Sequence, residues 1–378
     1  MKQETYIGLE SITNIESLIN KIKPQTILIV SGKNSYIETG LDKYFSLILK
    51  DFNTIIFNNF STNPKIEDCI KGIDILKNNQ IDLIIGVGGG SCIDMSKQIN
   101  ILAAQNQPDI IKIIKDNALI MNKGLPLIAI PTTSGTGSEA THFAVTYINK
   151  KKYSIAHTNM LPDYAIIDPK FTYKTSQQLI ATCGFDALSQ SVESYWSINS
   201  TNESKKYASK SMSLIIDNLF NASKGNKEAK NSMSEAAHLS GKAINITKTT
   251  AAHAISYPIS TYFDIPHGHS VALTLGCFFI INAQITKENI LDTRGKEYLV
   301  ATMNELFKIF KQKDAQGCKK FWYNFMKKNK LETNLTKLGI KSKDDISKII
   351  NNTDPIRIIN NPVKVDKKII ENIFNELS

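Results

Sequence analysis

The pattern of hydrophobic positions changes near residue 175. Before that point, short apolar segments with the length of buried strands occur at residues 25–30, 53–57, 82–87, 125–131 and 165–168. Segments with apolar residues three and four positions apart lie between several of them, at residues 66–77 and 92–104. The first spacing is typical of strands and the second of helices. This alternation predicts a mostly parallel sheet covered by helices.

From about residue 176 onward the strand pattern stops. Helical periodicity continues instead, for example at residues 205–220, 232–246, 298–311 and 319–328. We therefore predict an α/β domain over residues 1–175 and an all-helical domain over residues 176–378.

Composition places the chain among globular proteins. Its 378 residues are 42% hydrophobic and 21% charged, which is enough for two domains of ordinary size. The start has no signal-peptide pattern, and no apolar run approaches the ~18 residues of a membrane span. We expect a cytoplasmic protein with no membrane partner. The five cysteines are scattered, which argues against a disulfide framework and a cysteine zinc site.

The formal charge of +10 comes almost wholly from lysine, since Arg294 and Arg357 are the only arginines. No basic cluster is interleaved with aromatic residues, so we expect no nucleic-acid partner. We interpret the charge as mostly a solvated surface, with some allowance for an anionic small-molecule substrate.

A glycine run, Gly88-Gly89-Gly90-Ser91, follows a predicted strand and precedes a predicted helix. Glycines allow the backbone to approach a pyrophosphate, and a helix N-terminus favours negative charge. The spacing matches neither the Rossmann motif nor the P-loop. The run therefore predicts either a phosphate cradle or a tight turn without a ligand.

A second loop follows the predicted strand at residues 125–131 and is rich in hydroxyl side chains, among them Thr132, Thr133 and Ser138. Loops at the carboxyl ends of parallel strands can face each other across a crevice, where open α/β sheets bind ligands. The alternative is a polar connecting loop with no ligand.

Four side chains in the helical half could bind a metal. Asp186 and Gln190 are one helical turn apart, and His253 precedes His267 by fourteen residues. A carboxylate, an amide oxygen and two imidazoles suit Zn²⁺ or Fe²⁺. Each residue also has a structural alternative, respectively a helix N-terminal charge, a surface amide, a core histidine and a turn residue.

Several motifs together resemble the iron-containing (group III) alcohol dehydrogenases, in the order of that family. These motifs lie at residues 88–97, 131–139, 161–163 with 168–169, 186–189, and His253 followed by residues 266–268. The resemblance implies a dinucleotide-binding α/β domain, an all-helical domain, a divalent metal in the cleft between them, and a homodimer.

The resemblance also assigns roles to individual residues. It implies that Gly88, Gly89, Gly90 and Ser91 hold the pyrophosphate, that Thr132, Thr133 and Ser138 line the cofactor channel, and that Asn63 and Lys152 approach the nucleotide. The implied metal ligands are Asp186, His253 and His267, with Gln190 in the fourth position. Most relatives have histidine at the position of Gln190, and many have another histidine at the position of Tyr257. We include Tyr257 among the catalytic residues.

Four further segments resemble the subgroup that reduces phosphonoacetaldehyde to 2-hydroxyethylphosphonate in phosphonate biosynthesis. They are residues 140–145, 152–157, 193–197 and 249–258. A phosphonate needs cationic partners, and our candidates are Lys248 first, then His142, His157 and Lys242.

Cofactor preference is predicted from the end of the first long strand. Gly32 stands where NAD-specific relatives often have aspartate, and Lys33 follows it. An aspartate there would repel a 2′-phosphate, so its absence favours NADPH, with NADH use open.

Three alternatives remain open from the residues. One is reduction or oxidation of another small aldehyde or alcohol in the same family. A more remote one is a sugar-phosphate cyclase resembling 3-dehydroquinate synthase. The third is a nucleotide-binding protein without catalysis, suggested by the departures at Gln190 and Tyr257.

Overall fold

A parallel sheet organises the first part of the chain. The computed structural model describes residues 3–149 and 151–377, and these divide between Thr175 and Ser176 into two units. The strands of the first unit are β1 (Glu4–Ile7), β2 (Thr26–Ser31), β3 (Asn53–Phe57), β4 (Leu83–Gly88), β5 (Leu127–Pro131), β6 (Phe143–Ile148), β7 (Lys151–Ala156) and β8 (Tyr164–Ile167). Six of them form one sheet in the order β1-β8-β5-β4-β2-β3 with every pairing parallel, and β6 and β7 form an antiparallel hairpin.

The sheet is covered by helices on both faces. They are α1 (Asn14–Ile22), α2 (Lys33–Glu38), α3 (Leu41–Ile48), α4 (Ile66–Asn78), α5 (Gly90–Ala103) and α6 (Ile110–Lys115). Every residue of β2, β4 and β5 is buried, which explains their continuous apolar sequences. Gly88 is the last residue of β4, and Gly32 and Thr132 directly follow β2 and β5. Because neighbouring parallel strands end at the same edge, these three residues lie at one edge of the sheet.

The sequence pattern missed β1 and the β6–β7 hairpin. No residue of β1 is fully buried, and buried residues in β6 alternate with partly exposed ones. These strands therefore lack the continuous apolar run that marks the central strands.

A buried lysine ties α5 to the hairpin. Lys97 Nζ donates to the carbonyls of Ser138 at 2.8 Å and Phe143 at 2.6 Å. It also lies 3.4 Å from Asp94 Oδ1. These contacts satisfy a charge that would otherwise be costly to bury.

The second unit is helical. Its helices are α7 (Gln177–Trp196), α8 (Asn202–Ser223), α9 (Lys227–Thr247), α10 (Ala251–Phe263), α11 (His267–Ala283), α12 (Lys296–Ile309), α13 (Ala315–Lys328), α14 (Lys343–Asn351), α15 (Pro355–Ile358) and α16 (Lys367–Leu377). Helix α7 is buried along most of its length and packs against α8, α9 and α11. Within the described residues, none of the helices combines the length and apolarity needed to cross a membrane.

Candidate active site

The glycine turn connects β4 to α5. Gly88 has φ +145°, and a Cβ there would lie 2.5 Å from Cys92 Sγ, so this position requires glycine. A Cβ on Gly90 would lie 2.7 Å from the Thr136 side chain. The N-cap residue of α5 is Gly89, which has no side chain to cap the helix. The first amide groups of α5 can therefore bind an anion, as the phosphate-cradle prediction requires.

The hydroxyl-rich loop lies against this turn. Thr133 Oγ1 would be 3.4 Å from a Cβ on Gly89, and the Thr132 amide donates to the Gly88 carbonyl at 3.0 Å. Ser138 is buried, and its hydroxyl donates to Asp94. The structure thus places Thr132 and Thr133 beside the glycines, whereas the Ser138 hydroxyl serves to hold the loop.

The segment with Asn63, another predicted nucleotide contact, is linked to both the turn and the hairpin. The Ser91 hydroxyl donates to the carbonyl of Thr62, next to the exposed Asn63. Lys152 pairs with Tyr147 in the hairpin, and the Tyr147 amide donates to the Pro64 carbonyl at 2.8 Å. The segment with Asn63 is therefore held between Ser91 and the strand partner of Lys152.

Three of the predicted metal ligands come together in the helical unit. One donor atom from each of Asp186, His253 and His267 lies within 4.8 Å of the others. Asp186 Oδ1 is 3.5 Å from His253 Nε2 and 3.8 Å from His267 Nε2. Asp186 and His253 are buried, but 38% of the His267 side chain is exposed. The cluster is therefore accessible from the side of His267.

Gly268 makes this convergence possible. A Cβ on Gly268 would lie 2.2 Å from the Thr182 carbonyl and 2.7 Å from Asp186 Cβ. Only glycine lets the N-terminus of α11 approach α7 this closely. His267, the first residue of α11, is thereby brought next to Asp186.

His253 is oriented by a buried carboxylate. Its Nδ1 bonds to Glu193 Oε2, and its backbone amide donates to Glu193 Oε1 at 3.1 Å. Thr250 Oγ1 also donates to Glu193 Oε1, at 2.9 Å. A bond from Nδ1 to a carboxylate fixes the ring so that Nε2 faces the cluster, as in many metal sites. The i, i+4, i+7 spacing of Asp186, Gln190 and Glu193 on α7 could have revealed Glu193 from the sequence.

The charges of the cluster suit a cation. Burial disfavours a protonated His253, but the Glu193 charge, the nearby Asp186 carboxylate and the bond to Glu193 outweigh it and raise the pKa of His253 to about 10. Among the described residues, His253 Nε2 has no hydrogen-bond partner although it is buried. Two imidazole nitrogens and a carboxylate oxygen are ordinary ligands of Zn²⁺ and Fe²⁺. These residues therefore fit a divalent metal ion.

The Gln190 amide faces Ser240 on α9. Its Oε1 lies 2.9 Å from Ser240 Oγ, which is also 2.8 Å from the Ala237 carbonyl. The hydroxyl has one proton and cannot donate to both oxygens. If the amide is turned by 180°, Nε2 can donate to Ser240 Oγ while Ser240 donates to Ala237. In this orientation Oε1 points away from Ser240.

Tyr257 connects the cluster to an arginine. Its ring is nearly parallel to that of His267, with an interplanar angle of 7° and centroids 5.6 Å apart. Arg357 Nη1 donates to the Tyr257 hydroxyl at 2.8 Å. Sequence analysis did not single out a role for Arg357, which is distant in sequence and carries no motif.

The predicted anion-binding residues lie in different places. Lys248 is exposed between α9 and α10, with φ 59° and ψ −177°, a backbone conformation that costs energy for any residue with a side chain. Lys242 Nζ stacks over the Tyr207 ring at 4.2 Å. His142 and His157 belong to the first unit, where the His157 amide donates to the His142 carbonyl at 3.0 Å.

Comparisons with known proteins agree with these motifs. Residues 2–169 match the model of iron-containing alcohol dehydrogenase, and residues 180–378 match the C-terminal model of the Fe-containing alcohol dehydrogenase family. This chain belongs to the iron-containing alcohol dehydrogenase family. The family and fold predicted from the motifs are confirmed, and the chain is an oxidoreductase acting on alcohols or aldehydes. Iron-containing alcohol dehydrogenases use NAD(P) and a divalent metal, typically iron.

Individual relatives span a range of substrates. Long-chain-alcohol dehydrogenase 1 of Geobacillus thermodenitrificans is 30% identical, over 72% of this chain and 70% of that protein. Phosphonoacetaldehyde reductase of Streptomyces viridochromogenes is 30% identical, over 60% of this chain and 59% of that protein. Sulfoacetaldehyde reductase from Bifidobacterium kashiwanohense, solved in complex with NAD⁺, is 25% identical with a TM-score of 0.87, covering 99% of this chain and 96% of that one.

Proposed function

We propose that this dehydrogenase reduces a small aldehyde with an acidic group, phosphonoacetaldehyde first, to the corresponding alcohol with NAD(P)H as hydride donor. The observation that carries the proposal is the convergence of Asp186, His253 and His267 beside a carboxylate that orients His253. The hydride and one proton convert the aldehyde to the alcohol, and NAD(P)H becomes NAD(P)⁺.

The protein holds and orients the reacting groups. Asp186, His253, His267 and the rotated amide of Gln190 would hold a divalent ion, Fe²⁺ or Zn²⁺. When bound, such an ion supplies Lewis acidity that polarises a carbonyl oxygen. Glu193 keeps His253 in the tautomer that leaves Nε2 available as a ligand. Tyr257 covers one face of His267 and limits where a substrate can lie.

Support for NADPH comes from the end of β2. Gly32 has no carboxylate to repel a 2′-phosphate, and Lys33 follows it. The uncapped α5 and the turn at Gly88 would bind the pyrophosphate.

The acidic substrate is supported by two resemblances and one geometric feature. Relatives named for phosphonoacetaldehyde and sulfoacetaldehyde reduction are both two-carbon acidic aldehyde reductases by name. Lys248 is held in a strained conformation just before the helix that carries His253. Strain of this kind often accompanies a functional position, and a cation there would attract an anionic group.

A substrate screen with purified enzyme tests the proposal. NADPH oxidation is followed with phosphonoacetaldehyde, sulfoacetaldehyde and butyraldehyde, before and after metal removal by a chelator. We expect metal-dependent reduction with the highest kcat/KM for an acidic aldehyde. A higher kcat/KM for butyraldehyde would favour a neutral substrate, and absence of any NADPH oxidation would contradict the proposal.

Lys248→Ala tests the anion contact. We expect its KM for phosphonoacetaldehyde to rise by about tenfold or more, from the loss of one charge-assisted hydrogen bond, and its KM for butyraldehyde to stay nearly constant. An equal rise for both aldehydes would remove Lys248 from the substrate site.

A further inference from the structure

The two arginines of this chain have very different surroundings. Arg294 uses its whole guanidinium group within the fold: Nε and Nη2 donate to Asp292 at 2.9 and 2.6 Å, Nη1 to the Ser200 carbonyl at 2.6 Å, and Nη2 to the Ser197 carbonyl at 2.9 Å. It is a structural residue.

Arg357 is used only in part. Its Nη1 donates to the Tyr257 hydroxyl at 2.8 Å, and its Nε lies 3.5 Å from Asp354 Oδ2. Within the described residues, Nη2 has no bonding partner, and 26% of the side chain is exposed. One edge of the guanidinium is therefore available to a ligand.

This guanidinium lies close to the accessible side of the metal-ligand cluster. Its Cζ is 4.7 Å from the Tyr257 ring centroid, and that centroid is 5.6 Å from the His267 ring, so the separation from His267 is at most about 10 Å. A two-carbon aldehyde with an acidic group, together with one hydrogen bond, spans about 8 Å. A substrate whose carbonyl met the accessible side of the cluster could therefore bring its acidic end close to this charge.

The choice of arginine is itself informative in this chain. Apart from Arg294 and Arg357, all of the 45 lysines and arginines are lysines. Arginine presents a planar fork that can bind a phosphonate or sulfonate through two parallel hydrogen bonds, whereas lysine acts as a point charge. At Arg294 the structure requires such a fork, and Arg357 keeps part of its fork unused.

A contact beside Lys248 places both cations on neighbouring segments. The Asn360 side chain, three residues after Arg357, donates to the Thr249 carbonyl at 3.2 Å. The segment that carries Arg357 is thus attached to the linker that contains Lys248.

We propose that Arg357 binds the acidic group of the aldehyde substrate and makes the enzyme selective for anionic over neutral aldehydes. This inference rests on the proposed aldehyde reduction. The ligand chemistry is a tetrahedral oxyanion, phosphonate or sulfonate, carried two carbons from the carbonyl. Asp354 is the opposing group, because its carboxylate partly neutralises Arg357 and repels an anion.

The test compares kinetics of the metal-loaded enzyme and its variants with phosphonoacetaldehyde, sulfoacetaldehyde and butyraldehyde. Arg357→Met keeps most of the side-chain length but removes the charge. We expect its KM for the acidic aldehydes to rise about 10- to 100-fold, the range for losing a hydrogen bond to a charged group. Its kcat/KM for butyraldehyde should stay within about threefold. Arg357→Lys keeps the charge but not the fork, so its KM for the acidic aldehydes should lie between those of the unmodified enzyme and Arg357→Met.

Lys348→Met is the matched control. Lys348 Nζ lies 4.1 Å from the ring centroid of Tyr262, which is on α10 like Tyr257. Its removal changes the net charge equally and should leave the KM ratio between acidic and neutral aldehydes unchanged. Asp354→Asn retains a good helix-capping side chain and should lower the KM for acidic aldehydes.

The outcomes separate the two proposals. A specific rise in KM for acidic aldehydes supports the role of Arg357. Whichever of phosphonoacetaldehyde and sulfoacetaldehyde shows the larger rise carries the preferred acidic group. Equal loss with acidic and neutral aldehydes would overturn it, since Arg357 would then act only by supporting Tyr257. Failure of the unmodified enzyme to reduce any aldehyde would instead contradict the proposed function. Circular dichroism checks folding, and Arg357→Lys replaces the methionine variant in the comparison if the latter is unfolded.

Discussion

Replacing Glu193 by glutamine should weaken metal binding with little effect on stability. Oε1 of Glu193 accepts bonds from Thr250 Oγ1 at 2.9 Å and from the His253 amide at 3.1 Å, and Oε2 faces His253 Nδ1. In Glu193→Gln the amide oxygen can keep the first two bonds. The NH₂ group then faces Nδ1 and donates to it, so the imidazole proton moves to Nε2. A protonated Nε2 cannot bind a metal.

The size of the effect follows from these bonds. To restore the ligating tautomer, the amide must rotate and give up two accepted hydrogen bonds, at about 1 kcal/mol each at the low end of the range. About 2 kcal/mol corresponds to roughly 30-fold weaker metal binding, within the 10- to 100-fold typical of residues that orient a ligand. Glu193→Ala leaves three buried donors without an acceptor and should also cost about 3 kcal/mol or more of unfolding free energy.

The assay is a Co²⁺ titration of metal-free protein, monitored by the visible absorption of the bound ion. Urea unfolding of the metal-free proteins measures stability in parallel. We expect Glu193→Gln to show weakened Co²⁺ binding and an unfolding free energy within about 1 kcal/mol of the unmodified protein. Unchanged Co²⁺ affinity in Glu193→Gln would refute the role assigned to Glu193.

Three further predictions concern glycines and a buried lysine. Gly268→Ala should displace the N-terminus of α11, because its Cβ would lie 2.2 Å from the Thr182 carbonyl. We expect loss of metal in elemental analysis and a lower Tm. Unchanged metal content and Tm would contradict the packing argument. Gly32→Asp should shift preference from NADPH to NADH by tenfold or more in kcat/KM, about 1.4 kcal/mol; an unchanged ratio would show that Gly32 is not near the 2′-position. Lys97→Met removes the partner of the Ser138 and Phe143 carbonyls and should cost about 3–5 kcal/mol in urea unfolding, whereas a loss below 1 kcal/mol would show that these groups find other partners.

The sequence was informative where burial produces a strong pattern. The central strands β2, β4 and β5 were predicted because they are buried on both faces and therefore uniformly apolar. The hairpin was missed because buried residues in β6 alternate with partly exposed ones and most of β7 is partly exposed, so neither strand has a continuous apolar run.

The candidate metal site was predicted only in part, because several of its contacts join residues that are far apart in the sequence. Asp186 and Gln190 share a helix face, so their proximity follows from spacing alone. The approach of His267 to Asp186 depends on contacts at Gly268 that no local pattern reveals. Arg357 reaches Tyr257 across 100 residues of chain. Long-range contacts of this kind are set by tertiary packing and leave no periodic signal.

Metal content measured together with aldehyde turnover tests the central claim most directly. Purified enzyme and His267→Ala are analysed for bound metal and assayed for NADPH oxidation with phosphonoacetaldehyde. We predict about one divalent ion per chain in the unmodified enzyme, with both metal and turnover lost in the variant, because His267 is one of three converging ligands. Full turnover by a metal-free His267→Ala protein would contradict the account.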